Sequence, residues 1–310
     1  MVENVIIIGS GPAGLSAALY TAREGFNPLL IKGVSSGGQL LLTTDIENYP
    51  GYSKIAGPEL IRLMEEQATS FGTRYVEGDI TKVELNSKPI KVYVNDTVYE
   101  TLTLIISTGA SSKWIGLPSE KNFTGRGVSS CATCDGAFFK NKDVIVVGGG
   151  DTAMEDSLFL TRFANSVKVV HRRDSLRASK IMQQRAFANP KITFLWETAI
   201  EEITGDKKVT GVRLKDLKTN QISEMKIDGV FVAIGHQPNT SLFKGQLELD
   251  KDEYIITKED VLTNIEGVYA AGDVADRFYK QAVTAASAGV KAALRVREHI
   301  SMLNFEKSQA

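Results

Sequence analysis

Val5-Ile6-Ile7-Ile8-Gly9-Ser10-Gly11-Pro12-Ala13-Gly14 stands near the head of the chain, and Leu15 to Ala22 continue it in a helical pattern. Four consecutive apolar residues read as a strand buried on both faces of a parallel sheet. Strand, G-x-G-x-x-G and helix in that order form the dinucleotide fingerprint, whose glycines let the backbone and the helix N-terminus approach a pyrophosphate. The order recurs in Asp143-Val144-Ile145-Val146-Val147, then Gly148-Gly149-Gly150-Asp151-Thr152-Ala153 and a helix predicted from Met154. Two such units predict an α/β fold with two Rossmann-like (three-layer ββα) dinucleotide-binding domains.

The segments between the fingerprints repeat as well. In the first unit a second strand, Pro28-Leu29-Leu30-Ile31, runs into Lys32-Gly33-Val34, where a carboxylate would ordinarily hold a ribose hydroxyl. A glycine-rich loop from Gly37-Gly38-Gln39-Leu40 to Glu47-Asn48-Tyr49-Pro50-Gly51 is too irregular for a strand, and a helix is predicted from Pro58 to Phe71. Short alternating strands over 74–98 precede a buried strand, Leu102 to Ser107, closed by Thr108-Gly109-Ala110. The second unit mirrors this with alternating strands within 192–224 and a closing strand, Gly229 to Gly235. Gly267-Val268-Tyr269-Ala270-Ala271-Gly272-Asp273 and a helix from Gln281 to His299, with Val283, Val290 and Leu294 on one face, return to the first unit. The second domain is thus inserted into the first: residues 1–112 and 239–310 form one domain and 113–238 the other.

The second unit also carries a nucleotide preference. Its strand Val167-Lys168-Val169-Val170 enters His171-Arg172-Arg173-Asp174-Ser175-Leu176-Arg177, about twenty residues past the fingerprint. Guanidiniums at the place of the ribose carboxylate offer bidentate contacts to a 2′-phosphate, which predicts NADPH.

Cys131-Ala132-Thr133-Cys134 holds the only two cysteines among 310 residues. Such a pair suits reversible two-electron exchange better than stapling. A zinc site would need two more ligands, and His171, His236 and His299 are scattered, so no metal is expected. The formal charge of −1 leaves no electrostatic footprint for nucleic acid or an anionic membrane. Met1 to Gly9 run directly into the first strand without signal-peptide features, and no stretch reaches the roughly eighteen apolar residues of a spanning helix. The expected location is the cytoplasm, where a C-x-x-C pair is catalytic or metal-binding.

Taken together, the two fingerprints, the Cys-Ala-Thr-Cys-Asp stretch, Gly37-Gly38-Gln39-Leu40, Glu47-Asn48-Tyr49-Pro50-Gly51, His171-Arg172-Arg173 with Arg177, Gly235-His236-Gln237-Pro238-Asn239 and Ala271-Gly272-Asp273 resemble the bacterial-type, low-molecular-weight thioredoxin reductases over essentially the whole chain. The resemblance implies FAD in the first domain, near Gly9, Gly11, Pro12, Ala13, Gly14, Gly38, Gln39, Leu40, Asn48, Ile80, Thr108, Gly109, Gly272, Asp273, Gln281 and Ala282. It implies NADPH in the inserted domain, near Gly148, Gly150, Asp151, Thr152, Ala153, His171, Arg172, Arg173, Arg177, Ile234, Gly235 and His236. It further implies thioredoxin as the protein substrate and a homodimeric assembly. Lys280 stands where related enzymes often carry an arginine beside the flavin, and Ala137-Phe138-Phe139 keeps part of an aromatic cluster used to dock thioredoxin.

By the same resemblance, Cys134 faces the flavin, Cys131 attacks the substrate disulfide, Asp135 is the general acid, and the inserted domain rotates so that nicotinamide and disulfide alternate at the flavin. Partial burial would raise the Asp135 carboxyl toward a useful range, although a turn or N-cap role is the plain alternative. Two other flavoprotein classes fit less well. A peroxide-linked disulfide reductase carries an additional N-terminal thioredoxin-like region, and the ferredoxin:NADP reductases of this shape lack the cysteine pair. A flavin-binding sensor without turnover is the remaining reading from a different class.

Overall fold

A computed structural model describes residues 2–33, 37–42 and 45–309. Val34, in the stretch that follows the predicted second strand, and Thr43 and Thr44, inside the glycine-rich loop, lie outside the described residues. The chain divides into two compact units, Met1–Ser111 with Gln237–Ala310, and Ser112–His236.

The first unit begins with β1 (Val2–Ile8), α1 (Pro12–Arg23), β2 (Leu29–Lys32), α2 (Gly57–Ser70), β3 (Arg74–Glu77), β4 (Ile80–Glu84), β5 (Ile90–Val94) and β6 (Thr97–Ile106), with β7 (Ala110–Ser112) at the crossing into the second unit. Strands β3, β2, β1 and β6 lie side by side in parallel, and β17 (Val268–Ala270) joins β6 when the chain returns. Two boundaries depart from the sequence expectation. Arg74–Glu77 belongs to the parallel sheet, and the closing strand starts at Thr97. The first half of β6 pairs antiparallel with β5 and is partly exposed, whereas Thr103 to Ile106 are wholly buried between β1 and β17. One strand therefore changes partner along its length within a single sheet, from β5 to β17, and its hydrophobic pattern changes midway from alternating to continuous.

The loop at Gly37 contains a 3-10 turn, Gly38–Leu42. Helix α7 (Ala282–Gln309) runs past the predicted end at His299 and buries a different face. Ala285, Gly289, Ala292, Ala293, Val296 and Ile300 face inward, Val290 and Leu294 are half-buried, and Val283 is exposed. The reason is the close packing of α7 on α1: a Cβ on Gly289 would lie 2.0 Å from the Ala13 carbonyl oxygen. Small side chains let the two backbones meet, so the larger ones cannot form that seam.

The second unit contains α3 (Pro118–Phe123), then β8 (Val128–Ser129), α4 (Ala132–Asp135), β9 (Asp143–Val147), α5 (Asp151–Leu160), β10 (Ser166–Val170), α6 (Lys180–Phe187) and β11 (Ile192–Leu195). Next come β12 (Thr198–Gly205), β13 (Val209–Asp216), β14 (Ile222–Lys226) and β15 (Gly229–Val232), with β16 (His236–Pro238) at the return crossing. The parallel sheet runs β11-β10-β9-β15-β8, and β12-β13-β14 form a separate antiparallel layer. Helices α5 and α6 cover one face of the sheet, burying Met154, Leu160 and Ala186 with Val144, Val146, Val167 and Val169; Ile145, Val170 and Val232 pack with Ile200, Val212 and Leu214 on the other. Each fully buried aliphatic side chain contributes about 1.5–3 kcal/mol.

The internal repeat is visible in the hydrogen bonds that end the first strand of each unit. Gly9 N–H donates to the Ile31 carbonyl and Ser107 N–H to that of Ile8. Gly148 N–H donates to Val170 and Ala233 N–H to Val147 in the same way.

Candidate active site and nucleotide-binding sites

Gly9 leaves β1 at φ +107°, and a Cβ there would lie 2.3 Å from the Ser107 carbonyl oxygen; Gly148, at φ +153°, faces the Ala233 carbonyl oxygen at 2.5 Å. These first glycines are required by the protein's own backbone. The middle glycines are not. Gly11 and Gly150 have φ of −74° and −97°, open to any residue, and a Cβ on either meets no atom within 4 Å. Neither conformation nor packing calls for glycine there, but a pyrophosphate approaching the start of a helix does. The same cradle in both units fits a dinucleotide in each.

Around the first cradle the fold gathers segments that are distant in sequence. Gly37 N–H donates to Ser10 Oγ at 2.8 Å, and Gly38 lies against Gly11. Gly272 packs on Ala13. Asn48 Nδ2 donates to Gln281 Oε1 at 3.2 Å, just ahead of Ala282, the first residue of α7. Gln39 is exposed, while Leu40 packs partly into the core. Asp273 follows Gly272, and its carboxyl is pushed up to about 6, chiefly by burial and further by Asp276, against the opposing effect of Lys280. Three of the predicted residues have partners within the protein. Thr108 Oγ1 donates to the Asn239 carbonyl at 2.8 Å, and Gly109 accepts from Asn239 N–H at 3.0 Å. Ile80 packs on the apolar layer that includes Val92 and Val94.

The absent ribose carboxylate also has a structural answer. Lys32 is 8 % exposed, its ammonium pairs with Glu65 of α2, and it lies 4.5 Å from the Tyr75 ring centroid. An ammonium buried at this depth needs such partners. Glu65 lies far from the fingerprint in sequence, so no motif flagged it.

In the second unit, Thr152 and Ala153 open α5 behind Gly150, with Ala153 fully buried. Asp151 is turned toward the protein: its Oδ1 accepts from both the N–H and the Oγ–H of Ser179, at 2.8 Å each, at the start of α6. Arg172, Arg173 and Arg177 are exposed, and among the described residues none of them pairs with a carboxylate. His171 is buried instead of facing solvent beside them. Ile234, Gly235 and His236 follow β15, next to the Ala233 carbonyl that flanks Gly148.

Cys131 and Cys134 form a disulfide at the start of α4. Cys134 N–H points at Cys131 Sγ at 3.2 Å, and Thr133 Oγ1 lies 3.4 Å from the same sulfur. Gly136 brings α4 onto Phe159 and Leu160 of α5, and Ala132 is buried in the same core. Asp135 makes no capping bond through its side chain, which removes the N-cap alternative. Burial raises its carboxyl above the usual range, and a hydrogen bond from Ser129 pulls the other way. Ser129 also accepts from Cys131 N–H at 3.0 Å, so one hydroxyl touches both the acid and the cysteine backbone. No sequence signal beyond adjacency would have found it.

The aromatic cluster is corrected. Phe139 is a core residue, edge-on to Phe231 at 5.0 Å, with Gly229 leaving room for its ring. Phe138 packs partly on the same core, leaving Ala137 as the exposed member of the triplet.

Comparison with known proteins places this geometry among relatives. The family model described as pyridine nucleotide-disulphide oxidoreductase matches residues 3–289. A protein of Rickettsia typhi named thioredoxin reductase is 53% identical over 304 residues, covering 96% of this chain and 98% of its own length. Another of that name from Streptomyces coelicolor is 50% identical over 310 residues, covering 98% and 96%. The crystal structure of thioredoxin reductase from Streptococcus pyogenes superposes with a TM-score of 0.94 at 43% identity, covering 97% of this chain and 99% of that one.

Proposed function

Because the chain belongs to the pyridine nucleotide-disulphide oxidoreductase family, we propose that it is a flavoprotein thioredoxin reductase, which uses NADPH and FAD to reduce the disulfide of thioredoxin through Cys131 and Cys134. The observation that carries this reading is the Cys131–Cys134 disulfide beside a half-buried carboxyl, in a chain with two matched pyrophosphate cradles. We assign FAD to the first unit, where Gly11, Gly38, Asn48, Gln281, Gly272 and Asp273 gather, and NADPH to the second, where the exposed arginines follow β10. When bound, the flavin supplies hydride acceptance from NADPH and two-electron delivery to a disulfide.

The chain's own residues then handle sulfur and protons. In the dithiol form, the Cys131 thiolate attacks one sulfur of the thioredoxin disulfide, forming a mixed disulfide and expelling the other sulfur as a thiolate. Asp135, protonated to higher pH than an ordinary carboxyl, gives its proton to that leaving sulfur. Cys134 attacks Cys131 Sγ, releases dithiol thioredoxin and restores the internal disulfide. The same reading makes the protein a cytoplasmic homodimer. The redox use of its only cysteines supports the compartment, and the family resemblance supports the assembly.

The test is the visible spectrum of the purified protein followed by NADPH oxidation with oxidised thioredoxin. A flavin spectrum bleached by NADPH and restored by thioredoxin is the expected result, whereas flavin without turnover would leave a sensor. Asp135→Asn adds a pH signature. Turnover of the native protein should decline as pH rises through the raised Asp135 pKa, because the acid form is lost there. The variant should be slower by ~100-fold at neutral pH and lose that decline, with unchanged flavin content. Identical pH profiles would assign Asp135 to structure alone.

A further inference from the structure

The position between the first two glycines of each fingerprint is used differently in the two units. In the first it is Ser10, whose hydroxyl accepts from Gly37 N–H. In the second it is Gly149, and a Cβ there would lie 2.2 Å from His171 Cε1, so the imidazole rests directly on the turn. His171 opens the loop that carries Arg172, Arg173 and Arg177, and it is 6% exposed while the three arginines face outward. Its Nε2 lies 3.1 Å from the Ser175 carbonyl oxygen. A carbonyl only accepts, so Nε2 carries hydrogen and bonds across the loop. Burial lowers the proton affinity of the ring, Arg177, Arg173 and Arg172 lower it further, and the Ser175 contact opposes them.

The backbone completes the lock. Gly149 carbonyl accepts from Arg177 N–H at 2.7 Å and from Ala178 N–H at 3.1 Å. Trp196 sets its ring at a steep angle to the imidazole, with centroids 6.4 Å apart. Beside these backbone bonds, and the one from Glu197 N–H to the Arg173 carbonyl at 3.2 Å, the His171 side chain ties the start of the arginine loop to its middle, through Ser175, and rests on the fingerprint turn at Gly149.

We infer that His171 is a positioning residue for cofactor choice: by locking the arginine loop onto Gly149 it holds the guanidiniums where the 2′-phosphate of NADPH arrives, and it touches no nucleotide itself. This rests on the assignment of NADPH to the second unit. A side chain that merely filled the core would affect NADPH and NADH alike. A positioning role affects only the nucleotide that carries the extra phosphate.

The experiment measures KM for NADPH and for NADH, and kcat with oxidised thioredoxin, in the flavin-loaded native protein and in His171→Ala, His171→Gln and Gly149→Ala. His171→Ala should raise KM for NADPH about tenfold, with the effect on KM rather than kcat and with KM for NADH changed less than about twofold. His171→Gln, whose amide N–H can reach the Ser175 carbonyl, should recover most of the loss. Gly149→Ala, which displaces the ring without removing it, should reproduce it, and it keeps the question answerable if His171→Ala folds poorly. Equal rises for both nucleotides, or an unchanged NADPH/NADH ratio in His171→Ala and Gly149→Ala, overturn the role of His171 and leave the NADPH assignment standing. A native protein with no NADPH preference overturns both.

Discussion

Replacing Cys134 with Ser should lower thioredoxin-dependent NADPH oxidation by at least about a thousandfold, equivalent to ~4 kcal/mol on the barrier, while leaving flavin content unchanged. The chain has no third cysteine that could take over. Thr133 Oγ1 lies near Cys131 Sγ, but a hydroxyl carries no two-electron couple. The remaining Cys131 could still attack a thioredoxin disulfide, yet nothing would resolve the product, so a stable mixed disulfide should accumulate. Mass spectrometry under non-reducing conditions would detect the adduct. The packing of α4 on α5 runs through Ala132 and Gly136, so the variant should keep its fold. Turnover within tenfold of the native rate would rule out the dithiol relay.

Removing Arg172, Arg173 and Arg177 together should raise KM for NADPH by ~100-fold while leaving NADH nearly unchanged. Hydrogen bonds to charged groups contribute about 1.5–3 kcal/mol each. These guanidiniums are exposed and screened, so about 3 kcal/mol for the three together is the reasonable scale, corresponding to ~100-fold. No carboxylate competes for them among the described residues, so their charge is available to an incoming phosphate. Salt should therefore weaken NADPH binding in the native protein and have little effect in the triple variant. An unaltered preference for NADPH over NADH would move the 2′-phosphate site away from this loop.

The pieces most legible in the sequence were those governed by short-range rules. Val5 to Gly14 and Val144 to Ala153 each announce strand, turn and helix within about ten residues, because burial of a parallel strand and the backbone demands of a glycine turn are local constraints. The cysteine pair and the arginine run were equally plain. Helix faces and strand ends were less so. The seam of α7 was misread because small residues carry little hydrophobic signal, and only the approach of α1 shows why Gly289 and its neighbours face inward. The start of β6 lies earlier than its continuous apolar run because the first half of the strand pairs with β5 and is partly exposed, whereas the second half pairs with β17 and is buried.

The sites divide along the same line. By itself the sequence determined the chemistry present: two dinucleotide cradles, one redox pair, one acid beside it and a cluster of arginines following a strand. Tertiary structure alone decided which side chains face a ligand and which serve the scaffold. It turned Asp151 onto Ser179 and His171 onto Gly149, placed Phe139 in the core, gave Lys32 its partner in Glu65, and joined Asn48 to Gln281 across 233 positions. The physical reason is that residue type and spacing set what a group can do, whereas its burial, its hydrogen-bond partner and hence its protonation depend on surfaces brought together from distant parts of the chain.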